Sequence, residues 1–128
     1  MEQAIPAVQQ EQRPWGWFET LVSGPGYLVK RLCIRAGCRI SLQRHHHRSE
    51  HWVVVVGEGW LECNGAGKPG IPGTTFEVPR GAVHRATAGA ADLVIVEVQR
   101  GDLLNDDDIE RLADDYQRAP ERAAEVEC

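Results

Sequence analysis

Between Gln43 and Glu50 the chain reads Gln-Arg-His-His-His-Arg-Ser-Glu, and a further histidine follows at position 51. Amide oxygen, imidazole nitrogen and carboxylate are the donors that a divalent cation takes in mixed N/O coordination. Alternation on an extended strand puts Gln43 and His45 on one face with Arg39 and Ser41, and sends Leu42, Arg44 and His46 to the other. Glu50 opens the next apolar run and can meet Gln43 and His45 from across a hairpin. His84, just beyond the turn Pro79-Arg80-Gly81, is placed to join them from another strand. The remaining histidines fit less well. His46 has the wrong parity, His47 lies at the hairpin turn, and His51 faces away if Glu50 faces in. These three are read as surface or supporting groups.

The elements that must position these donors are short strands. Tyr27 to Arg35 alternates, with Leu28, Lys30, Leu32 and Ile34 on the more apolar face. That parity points Lys30 inward, an unusual place for an unpaired lysine. Arg39–His45, Val53–Val56, Trp60–Cys63, Thr74–Val78, Val83–Thr87 and Leu93–Gln99 read as further strands, punctuated by Gly and Pro turns. The glycine-rich stretch 64–70 reads as a loop; it lacks the Lys-Ser/Thr and the helix start of a phosphate loop. Arg13-Pro14-Trp15-Gly16-Trp17-Phe18 reads as an aromatic plug. Such a pattern indicates an all-β antiparallel sandwich or barrel. In the tail, Ile109, Leu112, Ala113 and Tyr116 share a helical stripe behind an acidic first turn, which predicts a short C-terminal helix near 105–117. Residues 1–12 are expected to form an irregular arm and 119–128 a mobile tail, leaving one domain over 13–118.

With 128 residues and 26% charged side chains, the chain has the profile of a single globular domain. A net charge of -5 argues against nucleic acid or an anionic membrane as partner, while leaving room for a local Arg/Lys cluster that binds a small anion. No signal peptide or membrane span is visible, so a cytoplasmic protein is expected. None of Cys33, Cys38, Cys63 and Cys128 forms a Cys-x-x-Cys pair; they are expected to be free thiols rather than zinc ligands.

Two spacings carry a resemblance. Gly37-x5-Gln43-x-His45-x4-Glu50-x6-Gly57 resembles the first motif of the cupins, and Gly73-x5-Pro79-x-Gly81-x2-His84 the second. Gln43 stands where most cupins have His, and Ala88 where many have Asn. Arg13-Pro14-Trp15-Gly16, Arg48-x-Glu50-His51-Trp52, His84-Arg85, Glu97-Val98-Gln99-x-Gly101, Asp107-Asp108-Ile109-x-Arg111 and Asp115-Tyr116 extend it to the cupin domain of type II phosphomannose isomerases. The fold implied is a single cupin-type β-barrel, an antiparallel jelly roll, here without the guanylyltransferase domain that often precedes it.

The resemblance implies Gln43, His45, Glu50 and His84 as ligands of one divalent metal ion, zinc first, with manganese, cobalt, iron or nickel compatible. It implies a metal-dependent isomerase that interconverts mannose 6-phosphate and fructose 6-phosphate through a cis-enediol. Lys30 and Glu97 are the candidates for moving the proton, and Arg48 is a further catalytic candidate within the motif. Arg48, Arg85 and Arg13 are the candidate contacts for substrate charge, because the guanidinium fork matches a phosphate. Expected partners are a small sugar phosphate and a second copy of the chain. The alternatives are a non-catalytic cupin that binds a sugar or sugar nucleotide, and an iron dioxygenase, which Gln43 in place of His disfavours.

Overall fold

A computed structural model describes residues 9–118. Strands β1 (Glu11–Arg13), β2 (Gly16–Gly24), β3 (Tyr27–Ile34), β4 (Leu42–Arg44), β5 (Arg48–Val56) and β6 (Gly59–Cys63) come first. They are followed by β7 (Ala66–Gly70), β8 (Thr75–Val78), β9 (His84–Ala88), β10 (Leu93–Gly101) and β11 (Glu110–Ala113). They form a six-stranded sheet, β1-β2-β3-β10-β5-β8, and a five-stranded sheet, β11-β4-β9-β6-β7, with every pairing antiparallel. From β3 to β6 consecutive strands switch between the sheets: β3 and β5 belong to one, β4 and β6 to the other.

Alternation selects the interior. On β5 every second residue, Arg48, Glu50, Trp52 and Val54, is buried, and on β10 the set is Leu93, Ile95, Glu97 and Gln99. Trp15, Phe18, Ile34, Ile40, Leu61, Val78, Ala86 and Leu93 belong to the apolar core between the sheets. The aromatic segment is therefore partly strand: Trp15 and Phe18 join the core, while Phe18 lies on β2. Gly57, at the end of the first motif, has φ +85°, and a Cβ there would lie 2.0 Å from the Asp92 carbonyl oxygen. Only glycine fits that close approach.

Two expectations are corrected. The stretch 64–70 is a hairpin rather than a loop. Asn64 and Gly65 both have positive φ, the requirement of a two-residue type I′ turn, and β6 pairs with β7 from Gly59↔Gly70 to Cys63↔Ala66. Pro69 is tolerated because β7 is the sheet edge. The region near 105–117 contains no helix. Asn105 Oδ1 accepts from the Asp107 N–H in an Asx turn, β11 pairs with β4, and Gln117 closes a turn at φ 62°. Asp114 captures the nearby N–H groups of Tyr116 and Arg118 locally, and Asp108 is turned away from its own segment to cap the N–H groups of His46 and His47. β4 needs a neighbour, and pairing with β11 supplies it.

Glu11 and Gln12, expected in the arm, are strand residues of β1; the arm's first eight residues and the tail 119–128 lie outside the described residues. Cys33 and Cys63 are free thiols, but Cys38 is disulfide-bonded, contrary to the expectation for that residue. No helix among the described residues is long and apolar enough to cross a membrane.

Candidate metal centre and substrate cavity

Strand register assembles the site from three rows of side chains. In the six-stranded sheet, Lys30, Glu97 and Trp52 are cross-strand partners on β3, β10 and β5. The neighbouring row pairs Gln99 with Glu50. In the facing sheet, Arg111, Gln43 and His84 form one row across β11, β4 and β9. Directly opposed residues share a face, so each row projects as a unit.

His45, Glu50 and His84 are all buried, and their potential ligand atoms lie within 4.8 Å of one another. Glu50 is central: Oε2 is 3.2 Å from His45 Nε2 and Oε1 is 3.7 Å from His84 Nε2. The other nitrogen of each ring is engaged. His45 Nδ1 lies 2.6 Å from the Asp108 carbonyl oxygen, and His84 Nδ1 lies 3.0 Å from that of Ala82. A carbonyl oxygen only accepts, so both Nδ1 atoms carry hydrogen and both Nε2 atoms present a lone pair. On the His45 side the Arg48 Nη2 already meets both the ring nitrogen, at 3.1 Å, and the Glu50 carboxylate, at 2.8 Å; on the His84 side no such donor is present among the described residues. His84 Nε2 is buried without a hydrogen-bond partner among the described residues. The residues fit a divalent metal by this donor set, and the carbonyls of Asp108 and Ala82 orient the ligating rings. Burial pushes His45 down to about 4, reinforced by the charges of Arg48 and His84 against the pull of Glu50, so its imidazole is neutral at pH 7, as ligation requires. Burial opposes ionisation of Glu50, but His84 and His45, when protonated, and the permanent charge of Arg48 hold it well below the usual carboxylate range.

Gln43 lines the same cavity, and its Oε1 accepts from Ser41 Oγ at 3.4 Å. His46, His47 and His51 are exposed. Arg48 lies beside the ligands: Nε and Nη2 are 2.9 and 2.8 Å from Glu50 Oε2, and Nη2 is 3.1 Å from His45 Nε2. Glu97 is 4% exposed, receives Gln99 Nε2 at 2.7 Å, and shares the Trp52 indole N–H with Glu50. Burial, the Glu50 charge and a hydrogen bond to Glu50 push Glu97 up to about 8, so it holds its proton at neutral pH. Lys30 is 8% exposed; its Nζ lies 3.0 Å from Asp106 and 4.2 Å from the centre of the Phe18 ring. Arg13 lines the cavity mouth over the other flank of Phe18. Arg85 does not line this cavity: its guanidinium donates to the carbonyls of Ile40 and Ala113, tying β9 to the segment before β4 and to β11.

Several lining or supporting groups received no site role from the sequence, although Gln99, Asp108 and Arg111 stand in the motifs that carry the resemblance: Gln99, Asp106, Arg111 and Arg118 line the cavity, and Asp108 braces His45. Asp106, Asp108 and Arg111 come from the segment expected to be helical, where an acidic run reads as a helix start, and Arg118 directly follows it. Only the register of β11 against β4 brings them to the ligands.

Two facing antiparallel sheets with this cluster between them define the chain as a cupin. Solved structures share the architecture: a cupin-2 domain from Rhodospirillum rubrum superposes with TM-score 0.67 at 19% identity, covering 84% of this chain and 82% of that one. The capsular polysaccharide assembling protein CapF from Staphylococcus aureus gives 0.71 at 18% identity over 83% of this chain and 34% of that one. The chain belongs to the mannose-6-phosphate isomerase C-terminal family, whose model matches residues 2–114. It is 42% identical over 115 residues to the alginate biosynthesis protein AlgA of Pseudomonas aeruginosa, covering 89% of this chain and 24% of the relative. It is 39% identical over 107 residues to the mannose-1-phosphate guanylyltransferase ManC of Salmonella typhimurium, covering 83% and 22%. The chain thus spans about a quarter of the length of these relatives.

Proposed function

We propose that the chain is a metal-dependent isomerase that interconverts mannose 6-phosphate and fructose 6-phosphate through a cis-enediol. The observation that carries this reading is one cavity lined by His45 and Glu50, whose ligand atoms lie within 4.8 Å of that of His84, and by five cationic side chains, Arg13, Lys30, Arg48, Arg111 and Arg118. Against those cations stand three carboxyl groups, Glu50, Glu97 and Asp106, of which Glu97 is protonated at pH 7. Such a surplus of positive charge suits a phosphorylated substrate.

In this reading His45, Glu50, His84 and Gln43 hold one divalent ion, zinc by preference. The ion supplies electrophilic stabilisation of charge on the sugar oxygens. Lys30 and Glu97, adjacent across β3 and β10, are the proton carriers. Glu97 is suited to give and retake a proton near neutral pH because its affinity lies close to that range. Arg48, held on Glu50, offers a fixed cation beside the reacting end. Arg85 is not carried into the site, since both of its described contacts are structural. A cytoplasmic setting goes with this reading. So does a homodimer, for which exposed Val53, Val55 and Trp60 provide apolar surface; sedimentation measures it.

The test uses the purified chain. Chelation should abolish conversion of mannose 6-phosphate to fructose 6-phosphate, and added zinc, manganese or cobalt should restore it. Undiminished conversion by metal-free protein rejects the metal's role. Saturable sugar-phosphate binding without product under any metal supports the non-catalytic alternative.

A further inference from the structure

We infer that Arg111, flanked by Arg13 and Arg118, forms a distinct anion subsite that takes the phosphate group of the substrate, at the end of the cavity away from the metal cluster. The identity of the sugar phosphate rests on the proposed isomerase reading; the existence of a phosphate subsite does not.

Three observations meet at Arg111. First, it lines the cavity, yet its Nε is a buried donor with no hydrogen-bond acceptor among the described residues. An unsatisfied buried N–H is costly, and a guanidinium left in that state is completed by an incoming acceptor. Second, the other two arginines are already braced. Arg118 is held in a fork by Asp114, with Nε–Oδ2 2.6 Å and Nη2–Oδ1 3.0 Å. Arg13 donates to the Gln12 carbonyl and rests over the Phe18 ring at 4.8 Å. Both lie near enough that their charges, together with burial, disfavour the charge on Arg111, while Asp114 alone favours it. A dianion inserted between three mutually repelling guanidinium groups relieves that repulsion. Third, the register fixes the distance. Arg111, Gln43 and His84 are neighbours in one row, so Arg111 sits two strand spacings, about 10 Å between backbones, from the ligand strand β9. That span separates the phosphate of an extended hexose phosphate from its aldehyde end. Gln43, itself in the proposed ligand set, is the direct cross-strand partner of Arg111, so the span is counted from His84 on β9 and the two sites adjoin at Gln43.

The other cations in the cavity are committed elsewhere. Arg48 is bound to Glu50 and His45, and Lys30 to Asp106. Arg111 is the lining arginine with a buried donor still open.

The experiment titrates inorganic phosphate into the metal-loaded chain by calorimetry, comparing wild type with Arg111→Gln, Arg111→Lys and His84→Ala. Arg111→Gln should weaken phosphate binding about 10- to 100-fold, the loss of a charge-assisted contact, with metal stoichiometry unchanged. Arg111→Lys should recover part of it, because charge returns without the fork. His84→Ala should lose metal and keep phosphate affinity within about threefold. Phosphate binding that survives Arg111→Gln, or that disappears with the metal in His84→Ala, overturns the subsite. If Arg111→Gln does not fold, Arg13→Gln provides the same comparison from the other flank. An isomerase assay separates the two proposals. A raised KM for mannose 6-phosphate with kcat nearly retained in Arg111→Gln supports both. Phosphate binding lost in Arg111→Gln by a chain without isomerase activity keeps the subsite and removes the isomerase reading. Isomerase activity with unaltered phosphate affinity does the reverse.

Discussion

The two ends of the barrel interior are built from the same strands and obey the same alternation, yet they are chemically opposite. Along β10, Leu93 and Ile95 are buried in apolar contact, and two positions further on each repeat the burial falls on Glu97 and Gln99. Along β5 the polarity runs the other way in sequence, from Arg48 and Glu50 to Trp52 and Val54. Because β5 and β10 are antiparallel, the polar halves coincide in space and so do the apolar halves. One half stabilises the fold by burial; the other carries buried charge that is held by cross-contacts and is available for chemistry. Trp52 marks the boundary: its ring packs on Phe76 and its N–H reaches both Glu50 and Glu97.

Substitutions at the two ends should therefore dissociate stability from metal content. The largest functional effect is expected at the polar end. His84→Ala should remove bound metal and bring isomerase turnover to background, with the near-UV spectrum of a folded chain preserved. Metal stoichiometry equal to wild type by elemental analysis would falsify its assignment as a ligand. The largest stability effect belongs to the apolar end. Ile95→Ala should cost about 2–5 kcal/mol in denaturant unfolding through the cavity it leaves, with metal content unchanged. A variant that loses metal in the native state would show that the two halves are not separable.

A smaller effect tests how the buried charge is held near the cavity mouth. Burial opposes ionisation of Asp114, yet the Arg118 guanidinium and the N–H groups of Arg118 and Tyr116 outweigh it and hold the carboxyl below its usual range. A depressed carboxyl contributes stability above its unfolded value, about pH 4, and that contribution fades as pH falls through the folded value. Asp114→Asn should cost about 1–3 kcal/mol at neutral pH and converge on wild type in acid. A difference that grows on acidification rejects the charge-assisted account. The smallest effect is expected at His47→Ala, an exposed position: stability within about 0.5 kcal/mol of wild type and full metal content. Lost metal there would return the histidine run to the ligand set.

The residues legible in the sequence were those whose placement is a local matter. Alternation alone sends Gln43, His45 and Lys30 inward and His46 outward, but it leaves β2 unread as a strand and starts β5 at Val53 where pairing extends it back to Arg48. What alternation does not encode is which distant strand arrives alongside. Ile109, Leu112 and Tyr116 satisfy a helical period, yet pairing with β4, the long-range contact of Asp108 with the His46 and His47 backbone, and local capture of N–H groups by Asp114 prevail, so the segment is strand and turn. Arg111 was illegible for the same reason, since its place in the row with Gln43 and His84 follows from that pairing. The Asn64-Gly65 turn was legible in principle; the glycines and proline after it hid an edge strand that tolerates them.

The pairing of β11 with β4 also has a temporal meaning. Arg44 meets Glu110 across a sequence separation of 66 residues, and His45 waits for the Asp108 carbonyl across 63. During synthesis a nascent chain holds Gln43, His45, Glu50 and His84 well before it holds the strand that braces them. Closing so long a loop is among the slower events in folding a β-protein. The ring orientation that suits His45 to a metal is thus a property of the finished barrel, and an ion captured earlier would meet ligands that are present in composition but not yet in geometry.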